Sequence, residues 1–467
     1  MTRTMRLPLG GILLVLAAGC VGAPAIAPVP EGAPPAEVRA AALQVECRGA
    51  RVKMDCYSEA LLEVLGEEGV TQSMETLEFL SERDPNVKRE GHMYAHAIGL
   101  AASPSPQQVG ETFRDCRPSF QSGCYHGVIQ SYFTAVSTHG QQVDGQAVNA
   151  LCADYRTDGS DRWLLFQCVH GMGHGLTALH EHHLPSALQG CDLLADPWER
   201  EGCYGGVFME SIVQATVPHH AVGRPHAEGH AAAAAPSAAG ADPHAAHGQP
   251  AAAEQAMHDH AAQPGAGAAD AHAGHGAHAP AGATPAAAMN HAPFPPLDRS
   301  QPLYPCSVLE ARYLVACYQM QTSAILFYNG GDVEATAKAC DDAPELYRGA
   351  CYLSLGRDVS ALTNQDHQAA RTACGTGDPR FQVWCHIGYV KNLVDLTADP
   401  EDALAYCRGT AGADLKQACY HAIGEEIWVL TSDRQRGERW CAMAEPGHQD
   451  HCRRGAGLAS WRDEAAE

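Results

Sequence analysis

Histidine carries the chemistry that this sequence offers. His92-Met-Tyr-Ala-His96 and His170-Gly-Met-Gly-His174 each place two imidazoles four residues apart. On a helix that spacing puts both rings on one face, one turn apart. His126, in Cys124-Tyr125-His126-Gly127, stands two residues after a cysteine, as His170 stands after Cys168. Neutral imidazole is a ligand for copper, zinc, nickel and iron, so such rings drawn from neighbouring helices build a transition-metal site. Two readings of His92, His96, His126, His170 and His174 stay open. They form a metal site, or each is a repeat feature that hydrogen-bonds the carbonyls of the preceding unit. His421 has the cysteine spacing without an i+4 partner and fits the second reading. Gly205-Gly206 replace the histidine in the unit after His170, with Glu210 beyond. An open pocket or a carboxylate ligand is expected there.

A second set of histidines lies in a different kind of sequence. Residues 219–297 hold twelve of the 26 histidines, among them His258, His260, His272, His275 and His278. Between 231 and 290 there is no Val, Ile, Leu, Phe, Tyr or Trp. A segment with so little to bury is expected to be disordered. A flexible chain can wrap several imidazoles around one copper, zinc or nickel ion, and Met257 beside His258 adds a thioether suited to Cu(I). Such binding weakens as the imidazoles protonate near pH 6. The surface group His180, Glu181, His182 and His183 is expected to cap a helix end. It is not the H-E-x-x-H zinc motif, because Leu184 stands where the second His would be.

The cysteines show what must hold these residues. There are nineteen, and leaving Cys20 aside they fall into nine close pairs. In the first half Cys47 pairs with Cys56, Cys116 with Cys124, Cys152 with Cys168, and Cys191 with Cys203. In the second half Cys306 pairs with Cys317, Cys340 with Cys351, Cys374 with Cys385, Cys407 with Cys419, and Cys441 with Cys452. The second members Cys317, Cys351, Cys385, Cys419 and Cys452 recur every 33 or 34 residues, the signature of a repeat. Each unit reads as a helix, a turn and a second helix. In Asp399-Pro400-Glu401-Asp402, Asp399 suits the N-cap and Pro400 the first helical position. Tyr94-Ala95-His96-Ala97-Ile98-Gly99 matches Cys419-Tyr-His-Ala-Ile-Gly424 and supplies the unit missing between Cys56 and Cys124. The expected fold is all-α, an α/α solenoid of about ten units, with each cysteine pair closing a disulfide between helices. The tyrosines that follow the second cysteines (Tyr57, Tyr125, Tyr204, Tyr318, Tyr352 and Tyr420) are expected to pack.

Over 45–218 and 300–460 this array resembles the tetratricopeptide and Sel1-like superfamily of α/α repeats, in its cysteine-rich, disulfide-stapled form. The resemblance implies a concave face that binds proteins or peptides. A scaffold of that kind, with incidental metal affinity, is the alternative to a metal-binding role. The chain start resembles a bacterial lipoprotein signal. Arg3 and Arg6 precede an apolar stretch from Leu7 to Ala18, and Leu16-Ala-Ala-Gly-Cys20 ends it. That resemblance implies lipidation at Cys20, a membrane anchor and a cell-envelope location, with Val21 favouring the outer membrane in a Gram-negative source. The expected organisation is a signal peptide over 1–19, a tether over 20–40, repeats over 41–218, the histidine-rich insertion over 219–297, repeats over 298–460 and a tail over 461–467.

Composition narrows the function further. A net charge of −23 argues against nucleic acid as a partner, since phosphate binding needs clustered Lys and Arg. No G-x-S-x-G elbow, P-loop or C-x-x-C-H haem motif occurs. Binding is therefore favoured over catalysis, with a His-ligated copper or iron enzyme as the catalytic alternative.

Overall fold

The computed structural model describes residues 28–102, 108–138, 143–156, 162–216, 294–431 and 433–458. The signal stretch, Cys20, the histidines of 219–291 and the tail 461–467 lie outside the described residues. The described chain is all-helical. Before residue 217 run α1 (Pro35–Glu46), α2 (Lys53–Glu68), α3 (Val70–Arg83), α4 (Pro85–Ala102), α5 (Val109–Asp115), α6 (Gly123–Thr138), α7 (Gly145–Leu151), α8 (Arg162–Leu179), α9 (Leu184–Cys191) and α10 (Pro197–Thr216). From residue 314 run α11 (Leu314–Tyr318), α12 (Gln321–Asn329), α13 (Val333–Asp341), α14 (Glu345–Leu362), α15 (His367–Ala373), α16 (Gln382–Thr397), α17 (Glu401–Arg408), α18 (Ala413–Leu430), α19 (Arg434–Cys441) and α20 (Gln449–Gly455). Helix α1 begins inside the stretch read as tether. Among the described residues no helix is long and apolar enough to cross a membrane.

From α4 to α10, and again from α14 to α19, long and short helices alternate. The long ones pack side by side, α4 on α6, α6 on α8 and α8 on α10, then α14 on α16 and α16 on α18, and the short α20 closes on α18. The short ones sit between them and are capped locally. Asp144, Asp332 and Asp366 each accept from the backbone N–H three residues on, at 2.7–2.9 Å. Asp399 accepts from Glu401 N–H at 2.8 Å, so α17 starts one residue later than the Pro400 position suggests.

Among the described residues nine disulfides join the cysteines in neighbouring pairs. Cys47 is bonded to Cys56, Cys116 to Cys124, Cys152 to Cys168, and Cys191 to Cys203. Beyond residue 300, Cys306 is bonded to Cys317, Cys340 to Cys351, Cys374 to Cys385, Cys407 to Cys419, and Cys441 to Cys452. Each second cysteine lies in a helix: Cys317 in α11, Cys351 in α14, Cys385 in α16 and Cys452 in α20 are examples. The bridge therefore ties the end of one segment to the helix that follows. Their Cα–Cα distances run from 5.3 to 6.0 Å, within the range that unstrained bridges span. The tyrosines that follow the second cysteines are all buried. Tyr352 and Tyr420 also donate to Asp341 and Glu445, at 2.7 and 2.8 Å, so each buried hydroxyl is satisfied.

Glycine sets how close the long helices come. A Cβ on Gly173 of α8 would overlap the carbonyl oxygen of Cys203 in α10, and a Cβ on Gly206 would overlap that of His170. Gly99 and Gly127 do the same for α4 and α6. Backbones meet at these points, so the side chains beside them come closer than ordinary helix spacing allows. Gly173→Ala is therefore expected to destabilise the chain by about 3 kcal/mol, the upper range of overpacking, because only backbone movement relieves the clash. Urea unfolding measures it, and a loss below about 1 kcal/mol contradicts the backbone contact.

Candidate metal centre

Helices α4, α6 and α8 bring their histidines to one place. His126 is central, with ring centroids 4.9 Å from His170, 5.1 Å from His174 and 5.9 Å from His92. His170 and His174 are 5.3 Å apart on α8. His96 closes the group, 6.1 Å from His92 and 6.0 Å from His174. All five are buried, with exposures from 1% to 4%. The i,i+4 spacing and the shared cysteine register thus meet in space. Gly127 brings α6 against the α4 backbone, and Gly171, where an added Cβ would lie 3.3 Å from the His126 Cα, brings α8 against α6, so the rings of three helices approach.

Three of the five could hold a metal ion. One ring nitrogen from each of His126, His170 and His174 lies within 4.8 Å of the other two. An ion with metal–nitrogen bonds of 2.0–2.1 Å would need tetrahedral donors about 3.3 Å apart, a spacing inside the 4.8 Å that these rings keep to. His92 and His96 flank this triad. His92 uses Nδ1 to meet the Phe120 carbonyl oxygen at 3.0 Å, which lies further along the chain and not in the preceding unit that the packing reading expects.

Neighbouring polar groups orient the ligands. Glu210 of α10 is 2% exposed and its carboxylate meets His174 Nδ1 at 2.9 Å. A proton held on Nδ1 leaves the lone pair on Nε2, a buried atom that has no hydrogen-bond partner among the described residues. Carboxylate–histidine pairs of this form fix the ring and raise its donor strength toward a metal. Gln167 Oε1 does the same for His126, accepting from Nε2 at 3.1 Å and leaving the lone pair on Nδ1. Burial pushes His126 well below the usual imidazole range, and the neighbouring His170 and His174 push it further. Burial, then His174, also lowers His170, while a hydrogen bond to the Gly202 backbone partly counters this. Both rings therefore stay neutral at pH 7, the form that ligates.

These shifts predict a pH effect on the ion-free protein. Below pH 6.5 the unfolded chain protonates an imidazole that folded His126 keeps neutral. The unfolded state then binds more protons, so stability falls with falling pH, by about 1.4 kcal/mol per pH unit for each such group. Read as a difference against His126→Gln, which cancels other titrating groups, the unsubstituted chain loses about that much between pH 6 and pH 5. A pH-independent difference in urea unfolding contradicts a neutral buried His126.

Two expectations change at the edges of the centre. Gly205 and Gly206 leave no open pocket. A Cβ on Gly205 would already lie 3.5 Å from the His170 ring, and Gly206 is against the His170 carbonyl. Glu210 does not stand free as an extra ligand but is hydrogen-bonded to His174. The repeat position of these histidines also has no common packing role. The His421 side chain is 42% exposed beside Glu425, and His386, one place out of that register, meets the Tyr406 hydroxyl.

Sequence reasoning missed Gln167, which sits one residue before Cys168. It also missed a line of buried charge in the second half. Arg357 and Asp358 are on α14, Lys391 and Asp395 on α16, and Glu426 on α18, all at most 7% exposed. Lys391 Nζ donates to Glu426 at 2.8 Å and pairs with Glu425 at 3.0 Å, while burial beside Glu426 pushes the Asp395 carboxyl well up. The available signal was a charged residue six or seven places after the second cysteine (Cys351, Cys385 or Cys419), within an otherwise apolar helix.

Comparison with protein-family models, curated proteins and solved structures found no match, so no family is assigned and the likeness to tetratricopeptide and Sel1-like repeats rests on period and helix pairing. The buried His126–His170–His174 group stands as a set of residues that could hold a metal ion.

Proposed function

We propose that this chain is a transition-metal-binding protein of the cell envelope. His126, His170 and His174 hold one ion, flanked by His92 and His96. One observation carries the reading: three ring nitrogens within 4.8 Å of one another, fully enclosed, with Glu210 behind His174. Copper, zinc and nickel all suit an all-imidazole donor set. Such an ion supplies Lewis-acid or, for copper, one-electron chemistry, and the chain's own residues keep water out and the ring tautomers fixed.

The same reading covers the rest of the chain. The fold is taken as a disulfide-stapled α/α solenoid of about ten units of about 34 residues. Lipidation at Cys20 anchors it to the membrane. The histidines of 219–297, with His258, His260, His272, His275 and His278 at their centre, capture ions loosely outside the fold.

Competition titration of the full chain and of a chain lacking 231–290 separates the two kinds of site. Both are expected to hold one tight Zn²⁺ or Cu²⁺, and only the full chain takes up further, weaker ions. If neither chain outcompetes a weak chelator for any of the three metals, the reading is wrong.

A further inference from the structure

A cleft of about 570 Å³ opens at the N-terminal ends of α8 and α10, and no histidine of the metal centre lines it. Its size falls within the roughly 300–1,000 Å³ that small-molecule sites occupy. Tyr155 and Arg156, from the short turn Ala153–Arg156, line it with Arg162 and Leu165 of α8 and Trp198 and Glu199 of α10.

Two arginines face this cleft, and the chain treats them differently. Arg156 is neutralised. Its Nε and Nη2 donate to the two Glu199 carboxylate oxygens, each at 2.7 Å, and its Nη1 donates to the Asn149 carbonyl. Arg162 has no such counterpart. Its guanidinium packs on the Trp198 and Trp428 rings, 4.1 and 3.7 Å from their centres, contacts that hold a cation in place without using its N–H groups. The Arg162 Nε is enclosed without a hydrogen-bond partner, and among the described residues no hydrogen bond or ion pair reaches either Nη. Beside it the Trp198 Nε1–H is enclosed and has no acceptor among the described residues.

Guanidinium and indole N–H groups only donate, so what this cleft lacks is an acceptor. Asp196 also lines the cleft, but its Oδ1 accepts from the backbone N–H groups of Trp198 and Glu199, at 2.8 and 3.2 Å, and caps α10. Burial lowers the Arg162 guanidinium from its ordinary range and Asp196 opposes this only in part, the direction a charge takes when nothing close neutralises it.

We propose that this cleft binds a small organic carboxylate, whose oxygens take the Arg162 Nη donors and whose apolar body lies against Leu165 and Trp198. The planar guanidinium fork matches a carboxylate in shape and charge. One free cation balances one carboxylate. Phosphate carries more charge and would call on a second cation, and Arg156 is already committed to Glu199. A neutral acceptor would leave the Arg162 charge uncompensated.

Fluorine NMR of para-fluorobenzoate with the full chain tests this. The acid is expected to bind one site roughly tenfold more tightly than para-fluorobenzyl alcohol, which has the same ring without the charge. Arg162→Gln is expected to erase that difference. Because Arg162 also ties α8 to Trp428 of α18, a second variant leaves it in place. Residue 195 lines the cleft from an exposed position, so the ring of Ala195→Phe fills the space without entering the core. That variant is expected to weaken the acid by roughly tenfold while its helical circular dichroism stays unchanged. Equal binding of acid and alcohol, no binding of the acid, or undiminished binding of the acid by either variant overturns the carboxylate site. Inorganic phosphate that displaces the acid more strongly than unlabelled benzoate does overturns the class of ligand. None of these outcomes bears on the metal centre, whose histidines lie outside the cleft.

Discussion

Replacing His126, His170 and His174 together with Gln is expected to abolish tight transition-metal binding while leaving the histidine-rich segment intact. Gln matches imidazole roughly in length and stays neutral, so it enters the enclosed site without adding charge. It offers amide groups in place of the three ring nitrogens that lie within 4.8 Å of one another. The readout is thermal unfolding with and without metal. An ion at about 1,000 times its dissociation constant stabilises the native state by about 4 kcal/mol, a rise of roughly 10 °C in unfolding temperature. That rise is expected in the unsubstituted chain and absent in the variant, with equal helical circular dichroism in the two. An undiminished rise in the variant assigns the stabilising ion to another site.

Reduction of the disulfides is expected to have a still larger effect on the fold. The nine bridges span 8 to 16 residues along the chain. Loops of that length each contribute about 2–3 kcal/mol by limiting the unfolded chain. Nine such terms together exceed the 5–15 kcal/mol by which folded domains are usually stable. A chain reduced in denaturant, alkylated and returned to buffer is therefore expected to lose its cooperative helical signal and its tight ion together. If it regains native helix content and a cooperative transition, the helices hold by their own packing and the bridges are secondary. The surroundings of the bridges favour the first outcome, since nearly all the bridged cysteines are buried against neighbouring helices.

The centre was legible in the sequence for a physical reason. His92 and His96, like His170 and His174, fall one turn apart, and His96, His126 and His170 occupy the same position in successive units. When helices of equal register pack side by side, equal positions come together. The glycines beside these histidines, such as Gly127, Gly171 and Gly173, are visible in the sequence too, because a helix carries them at a cost of about 1 kcal/mol each and close backbone approach is what they allow. The cysteine pairing was legible too, because regular spacing from Cys317 through Cys351 and Cys385 to Cys452 leaves each thiol one near neighbour in sequence. Glu210 was visible as a carboxylate near the site, but not as the hydrogen-bond partner of His174. That role depends on the 36-residue offset between α8 and α10, which only the packed helices reveal. Gln167 was illegible because it has no motif and gains its role only from facing His126. The stack of Arg162 between Trp198 and Trp428 was hidden for the same reason, since it joins residues more than 230 positions apart. Local spacing thus announced the ligands, while the groups that orient them came from tertiary register.

An ion among the α6 and α8 rings is the point on which the proposed function turns. Diffraction from metal-soaked crystals of the unreduced chain, collected at the absorption edge of the added copper or zinc, locates that ion directly. The predicted result is one strong anomalous peak within about 2.1 Å of a ring nitrogen of His126, His170 and His174. Ordered density around those three rings without such a peak, while ions appear on surface histidines, would contradict it.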